Sequence, residues 1–315
     1  MTAVLSEIDV HPVTDACFSG ERFDLFNASD AGSLFGVGYK TLARITAGKR
    51  DRLLDADDAE ENPLLERGND FQEPATKRVQ KLRPTWRISR NLNHYVDRKL
   101  RMAAIPDNLV EAPERDGVGA LEIKVVASSI FRDRWKDDTP PLKHLLQLTQ
   151  QMMLVPRCTW GAIGVLIVGE FKYETRVYEI ERNKGAEMRL RTAVAEFWQK
   201  YDAGDIPQVD FERDGDLIAL MYPTATPGKI IDLQTDNAIG ELLERREILR
   251  TTAKDIDKRL ETCENEIKAK LGDAEAALVP GWYVSLKTQH RKETVQQASS
   301  FRVLRAKRQE ERKQA

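Results

Sequence analysis

Ile105-Pro106-Asp107, then fourteen intervening residues, then Glu122-Ile123-Lys124 is the spacing in this chain that could do chemistry. Between them stands the turn sequence Pro113-Glu114-Arg115-Asp116-Gly117, and Asp-Gly between two β-type runs predicts a hairpin. In a hairpin turning near Glu114–Asp116, residues whose numbers add to about 230 lie opposite one another. Asp107 then falls level with Glu122 to Lys124. Strand side chains alternate, so Glu122 and Lys124 share a face. Two carboxylates at one point repel unless a cation holds them, and hard oxygen ligands suit Mg²⁺ or Mn²⁺. A lysine beside them fits a role in orienting or deprotonating a water that attacks phosphorus. A surface strand with scattered charges would carry the same letters, so the pattern needs its context.

That context is supplied by flanking helices. Lys143 to Val155 has apolar residues at helical spacing, and Gln147 and Gln151 stand one turn apart on one face. Two amides there could hold a water, a backbone phosphate or a base edge, or simply face solvent. Before the hairpin, Gly68-Asn69-Asp70-Phe71-Gln72-Glu73-Pro74-Ala75 leads a helix predicted from about Asp70 to Lys81 and stopped by Pro84. Glu73 on this helix could supply a third carboxylate, or be a glutamate favoured by the helix dipole.

The elements that must position these groups form an α/β pattern. Residues 29–50 read as two short helices broken at Gly36 and Gly38, with Ser29 or Asp30 as N-cap of the first. Thr85–Ile88, Met102–Ile105 and Leu121–Val126 read as strands. Trp160–Gly169 reads as a buried strand, Thr175–Glu181 as its partner, and Ala186–Tyr201 as a closing helix. Residues 1–20 read as a poorly ordered lead-in and 51–62 as an exposed acidic insert. Beyond Pro207 the chain turns helical. Leu242, Leu249, Ile256 and Cys263 recur every seven residues, with Ala253, Leu260 and Ile267 between them. This predicts a long amphipathic helix or a helical hairpin, with packing against its own core favoured over a dimerising zipper. A last strand is expected at Gly281–Ser285, followed by a basic tail from Arg291.

Composition excludes several classes. The chain has 315 residues, net charge −2, 32% charged and 41% hydrophobic residues, as in ordinary globular proteins. Its longest apolar run, Trp160–Val168, is too short to span a bilayer, and a cytoplasmic address is expected. Cys17, Cys158 and Cys263 lie far apart, and none of them has zinc-ligand or redox spacing. The four histidines form no H-x-x-x-H pair, so a zinc hydrolase is not supported.

Five short blocks in order resemble the lambda-exonuclease or YqaJ-type viral recombinases, a branch of the PD-(D/E)XK nucleases. They are Asn27–Ala31; Gly68 with Glu73-Pro74-Ala75; Ile105-Pro106-Asp107 with Leu121–Lys124; Gln147–Met152; and Phe197-Trp198 with Gly204 and Pro207. The resemblance covers about residues 20–210. It implies a restriction-endonuclease-like α/β core over 21–210, a central mixed β-sheet flanked by helices, with a helical C-terminal extension over 211–315. It also implies that Asp107, Glu122 and the backbone carbonyl of Ile123 bind metal, with Glu73 as a further carboxylate. Lys124 would position the nucleophilic water, with Gln147 or Gln151 assisting. Ser29 and Arg22 would contact DNA phosphate. The family commonly has glycine where this chain has Asn108, and an aromatic residue where it has His144.

The activity implied is Mg²⁺-dependent (Mn²⁺ may substitute) 5′-to-3′ exonuclease action on double-stranded DNA ends, leaving 3′ single strands for recombination by annealing. Implied partners are a single-strand annealing protein and further copies of the chain in a trimeric ring, with a phage or prophage origin and no membrane. The alternatives are a structure-specific endonuclease or resolvase of the same fold, and a non-catalytic DNA-binding protein.

Overall fold

A computed structural model describes residues 7–52, 63–170, 172–290 and 302–306. Residues 53–62 of the acidic insert expected over 51–62 therefore lie outside the described residues, as does most of the basic tail. The chain divides into two units, Met1–Leu217 and Ile218–Ala315.

The first unit opens with strand β1 (Asp9–Pro12), the short helix α1 (Asp15–Ser19), a 3-10 turn at Glu21–Phe23 and strand β2 (Phe26–Asn27). The expected lead-in over 1–20 thus carries a strand and a helix from Asp9 onward, because β1 finds a partner far along the chain. A 3-10 helix at Ala28–Phe35 and helix α2 (Leu42–Asp51) follow. Gly36 ends the first of these in the left-handed region (φ 71°), a conformation that glycine adopts without a Cβ clash. Its N-cap is Asn27 rather than Ser29 or Asp30. Ser29 sits inside the first turn.

Helix α3 (Pro63–Leu82) leads to strands β3 (Arg87–Arg90), β4 (Asn93–Asp97), β5 (Met102–Ala104), β6 (Asn108–Glu111) and β7 (Val118–Ala127). Helices α4 (Ser128–Arg134) and α5 (Leu142–Leu154) cross over to β8 (Cys158–Val168), which turns back as β9 (Tyr173–Glu181) before helix α6 (Lys184–Asp202). The main sheet has the order β3-β6-β7-β8-β9. Its β7–β8 pair is parallel and the others are antiparallel, so it is mixed as expected. A second sheet, β1-β4-β5-β2, was not foreseen. Its strands have only two to five residues, too short for a period-two pattern to mark them in the sequence.

Period-two alternation along β7 splits the core. Leu121 and Ile123 pack with Ala75 and Val79 of α3, whereas Ala120 faces the cluster built by Leu148 and Met152 of α5. Close approach of α3 depends on Gly164 in β8, where a Cβ would come within 2.6 Å of Val79 Cγ2.

In the second unit, helix α7 (Gly215–Met221) runs across the boundary, and α8 (Asn237–Leu271) is a single 35-residue helix. Strands β10 (Ala276–Val279) and β11 (Trp282–Ser285) form a hairpin. The last strand falls where expected, but the packing of α8 does not. None of its residues is buried, and Leu242, Leu249, Ile256, Leu260 and Ile267 are all exposed. A heptad pattern fixes which residues share a face; it does not supply the surface that covers it.

Candidate active site

The β6–β7 hairpin positions the two carboxylates. Its register pairs Asn108 with Leu121 and Val110 with Gly119, so the position before β6, Asp107, comes level with Glu122. Asp107 Oδ2 accepts the backbone N–H of Ile123 at 2.7 Å, which closes the ladder with a side chain instead of a carbonyl. Asn91 secures the Pro106-Asp107 corner from the other side. Its Nδ2 donates to Pro106 O at 3.0 Å and its backbone N–H donates to Asp107 O at 3.1 Å. Asn108, where the family commonly has glycine, is in β6 and is not among the residues with positive φ. Its Nδ2 donates to Thr76 Oγ1 of α3 at 3.2 Å.

Glu122 is buried and its oxygens are fully engaged. Oε1 accepts Lys124 Nζ and Gln147 Nε2, both at 2.6 Å, and Oε2 accepts Gln151 Nε2 at 2.6 Å. Lys124 Nζ also donates to Gln147 Oε1 at 3.1 Å. Gln151 is nearly inaccessible, and its Oε1 is buried without a hydrogen-bond partner. The two glutamines predicted to share a helix face therefore aim that face at the carboxylate and lysine of β7.

Burial and the neighbouring charge of Glu122 push the Asp107 carboxyl up to about 8, and Lys124, the Ile123 N–H and Gln72 offset this only in part. Burial alone would lower Lys124, but the charges of Glu122 and Asp107 outweigh it and raise its ammonium above the usual lysine value. Two carboxylates, one of them held largely protonated, describe a site in which negative charge is undercompensated. Hard oxygen donors in that state fit a divalent cation such as Mg²⁺.

Glu73 stands apart from the other predicted site residues in this structure. Its side chain is 77% exposed and takes Lys77 Nζ at 2.6 Å, one turn along α3. The residue before it, Gln72, is the one whose side chain bonds to Asp107. Helical geometry explains the exchange: Ala75 and Val79 are fully buried, and Gln72 precedes them on the same face at i−3 and i−7. That spacing was readable in the sequence. Gln72 and Asn91 are the site-supporting residues the sequence reading missed.

Ser29 and Arg22 lie on the segment around β2. Ser29 is exposed on the 3-10 helix, which packs against α5. The Arg22 carbonyl accepts Lys49 Nζ at 2.8 Å, and Lys49, pulled down to about 8 by burial, also bonds to Leu25 O at 2.6 Å. On α5 itself, Gln150 Nε2 donates to Phe26 O at 2.7 Å and Ala103 O at 2.9 Å, joining the helix to both strands of the β2–β5 pair. His144 fills the place of the family's aromatic residue by stacking on Trp135 with ring centroids 5.8 Å apart. Burial drives its imidazole down to about 2, so it is neutral.

A mixed sheet flanked by helices, with Asp107, Glu122 and Lys124 brought together at one β-hairpin, is the arrangement of the PD-(D/E)XK nuclease fold. Residues 20–156 match the YqaJ-like viral recombinase domain, the family that the sequence blocks resemble. No curated protein matches the chain. Similar solved structures include an alkaline exonuclease from Laribacter hongkongensis, at 16% identity over 66% of this chain and 100% of that one, with a TM-score of 0.48. The same enzyme in complex with dAMP gives 16%, 66%, 100% and 0.49. A phage-related exonuclease from Haemophilus somnus gives 14%, 63%, 96% and 0.39. Among the described residues, no helix is long and apolar enough to cross a membrane.

Proposed function

We propose that the chain is a Mg²⁺-dependent exonuclease that degrades the 5′-ended strand at double-stranded DNA ends and leaves 3′ single strands for annealing. The observation that carries this reading is the convergence of Asp107, Glu122, Lys124, Gln147 and Gln151 on one point. Asp107, Glu122 and the Ile123 carbonyl would hold Mg²⁺, with Mn²⁺ able to substitute. When bound, the ion supplies Lewis acidity toward the scissile phosphate. Lys124, an ammonium beside two acids, orients the attacking water by donating to it. It can accept a proton only once the charge of those carboxylates is neutralised. Gln147 fixes the lysine in place and Gln151 fixes the glutamate. Ser29, in the first turn of a 3-10 helix, and Arg22 would receive the phosphate of the 5′ end.

The family resemblance further supports a ring of identical subunits around DNA, a single-strand annealing partner and a site of action in the cytoplasm of a bacterial host. The test compares wild type with Lys124→Ala on end-labelled linear duplexes and on a closed circle, with and without Mg²⁺. Nucleotide release from 5′-phosphorylated ends is expected only with Mg²⁺, with the rate falling about 10²–10⁴-fold in the variant. Cutting of the circle would instead identify an endonuclease, and no cleavage of any substrate would leave a DNA-binding protein.

A further inference from the structure

Four residues outside the nuclease centre meet where the N-terminal segment crosses β4. His11 lies on β1, Cys17 in α1, Glu21 in the 3-10 turn that follows, and His94 on β4. The β1–β4 register sets His11 directly opposite His94, and their rings meet edge to face at 4.9 Å. One donor atom from each of the four residues lies within 4.8 Å of the other three.

Three of these atoms are buried and have no hydrogen-bond partner: His11 Nε2, Glu21 Oε2 and His94 Nδ1. Glu21 Oε2 stands 3.5 Å from His11 Nε2 and 3.3 Å from His94 Nδ1, without forming a hydrogen bond to either. The His94 side chain is only 1% exposed, so water is a poor substitute. A shared proton could join Glu21 to one imidazole, but it would leave the other imidazole nitrogen without a partner. A cation at the common centre serves all four. Zinc bonds of about 2.0–2.3 Å in a tetrahedron place neighbouring ligand atoms about 3.3–3.8 Å apart, the range of the two Glu21 contacts.

The surrounding groups have the arrangement that outer partners of metal ligands take. His11 Nδ1 lies 3.4 Å from Pro12 O, and a proton held there frees Nε2 for a ligand. Glu21 Oε1 lies 3.6 Å from an Arg98 nitrogen, leaving Oε2 for the centre. The Thr14 backbone N–H donates to Cys17 Sγ at 3.5 Å, as suits a thiolate.

We propose that His11, Cys17, Glu21 and His94 bind a structural zinc ion that fastens the N-terminal segment to β4. One thiolate, two imidazoles and one carboxylate select zinc over Mg²⁺, which prefers oxygen, and four protein ligands leave no open position for catalysis. Arg22 follows Glu21 directly, so the ion would also hold the segment that carries Arg22. That consequence rests on the nuclease reading above; zinc binding does not.

The test is metal analysis of untagged protein expressed with added zinc and purified without chelator. About one equivalent of zinc per chain is expected. It should persist in Asp107→Asn and be lost in Cys17→Ser and His94→Gln. Should those variants fail to fold, wild-type protein loaded with Co²⁺ decides. A sulfur-to-cobalt charge-transfer band together with intense tetrahedral d–d bands supports the site, and octahedral, sulfur-free spectra overturn it. Wild-type protein without zinc, or zinc that is lost in Asp107→Asn but kept in Cys17→Ser, also overturns it. Nuclease activity enters none of these readouts, so failure of the zinc site and failure of the nuclease reading are separable.

Discussion

Asp107 carries an unusual burden for a single carboxyl group. It caps the β7 backbone at Ile123, accepts Gln72, and faces the charge of Glu122, which helps raise it from 3.8 to about 8. Between those two pH values the folded protein, free of divalent cations, holds a proton that the unfolded chain has already released. The stability contributed by this group is therefore complete below about pH 4 and declines as pH rises toward 8, by up to about 1.4 kcal/mol per pH unit. Urea midpoints of chelator-treated protein between pH 6 and 8 should fall for wild type. In Asp107→Asn, or with Mg²⁺ present, the slope should flatten. An equal slope in wild type and variant would remove Asp107 as its source.

At the scale of elements, α5 serves two purposes through adjacent glutamines. Gln147 and Gln151 face Glu122, while Gln150, pointing elsewhere, bridges Phe26 O and Ala103 O. Gln150→Leu would strand two buried carbonyls and is expected to cost about 2–3 kcal/mol in urea denaturation. The expected signature of Gln147→Ala is different: slower cleavage with a nearly unchanged urea midpoint, because the glutamine is only partly buried. Should Gln150→Leu unfold at the wild-type urea concentration, the bridge does not hold α5 to the small sheet. The small sheet matters here because β2 leads directly into the helix that bears Ser29.

For the molecule as a whole, every residue assigned to the nuclease centre falls in the unit Met1–Leu217. The exposed stripe of α8 belongs to the other unit. Leu249→Asp combined with Ile256→Asp alters two sites that are already exposed, where substitutions shift free energies by only about 0.5 kcal/mol. Cleavage of a short duplex, measured under single turnover, should stay within about twofold of wild type. A larger loss would show that the nuclease centre depends on α8. Mass in solution, measured by light scattering with and without duplex DNA, tests the proposed ring of subunits directly.

The sequence by itself determined the hairpin, its register and the facing of Glu122 and Lys124, because turn chemistry and period-two alternation act locally. It also determined Gln147 and Gln151 as one face, since helical spacing is equally local. Which of two neighbours on α3 reaches the site was decided by packing: buried Ala75 and Val79 rotate Gln72 inward and leave Glu73 to Lys77. The small sheet was decided by pairing between β1 and β4, strands more than eighty residues apart, as was the meeting of His94 with His11, Cys17 and Glu21. The heptads of α8 were legible, but the absence of a buried face among its described residues was not. Local periodicity states which side chains travel together; only the folded chain states what they meet.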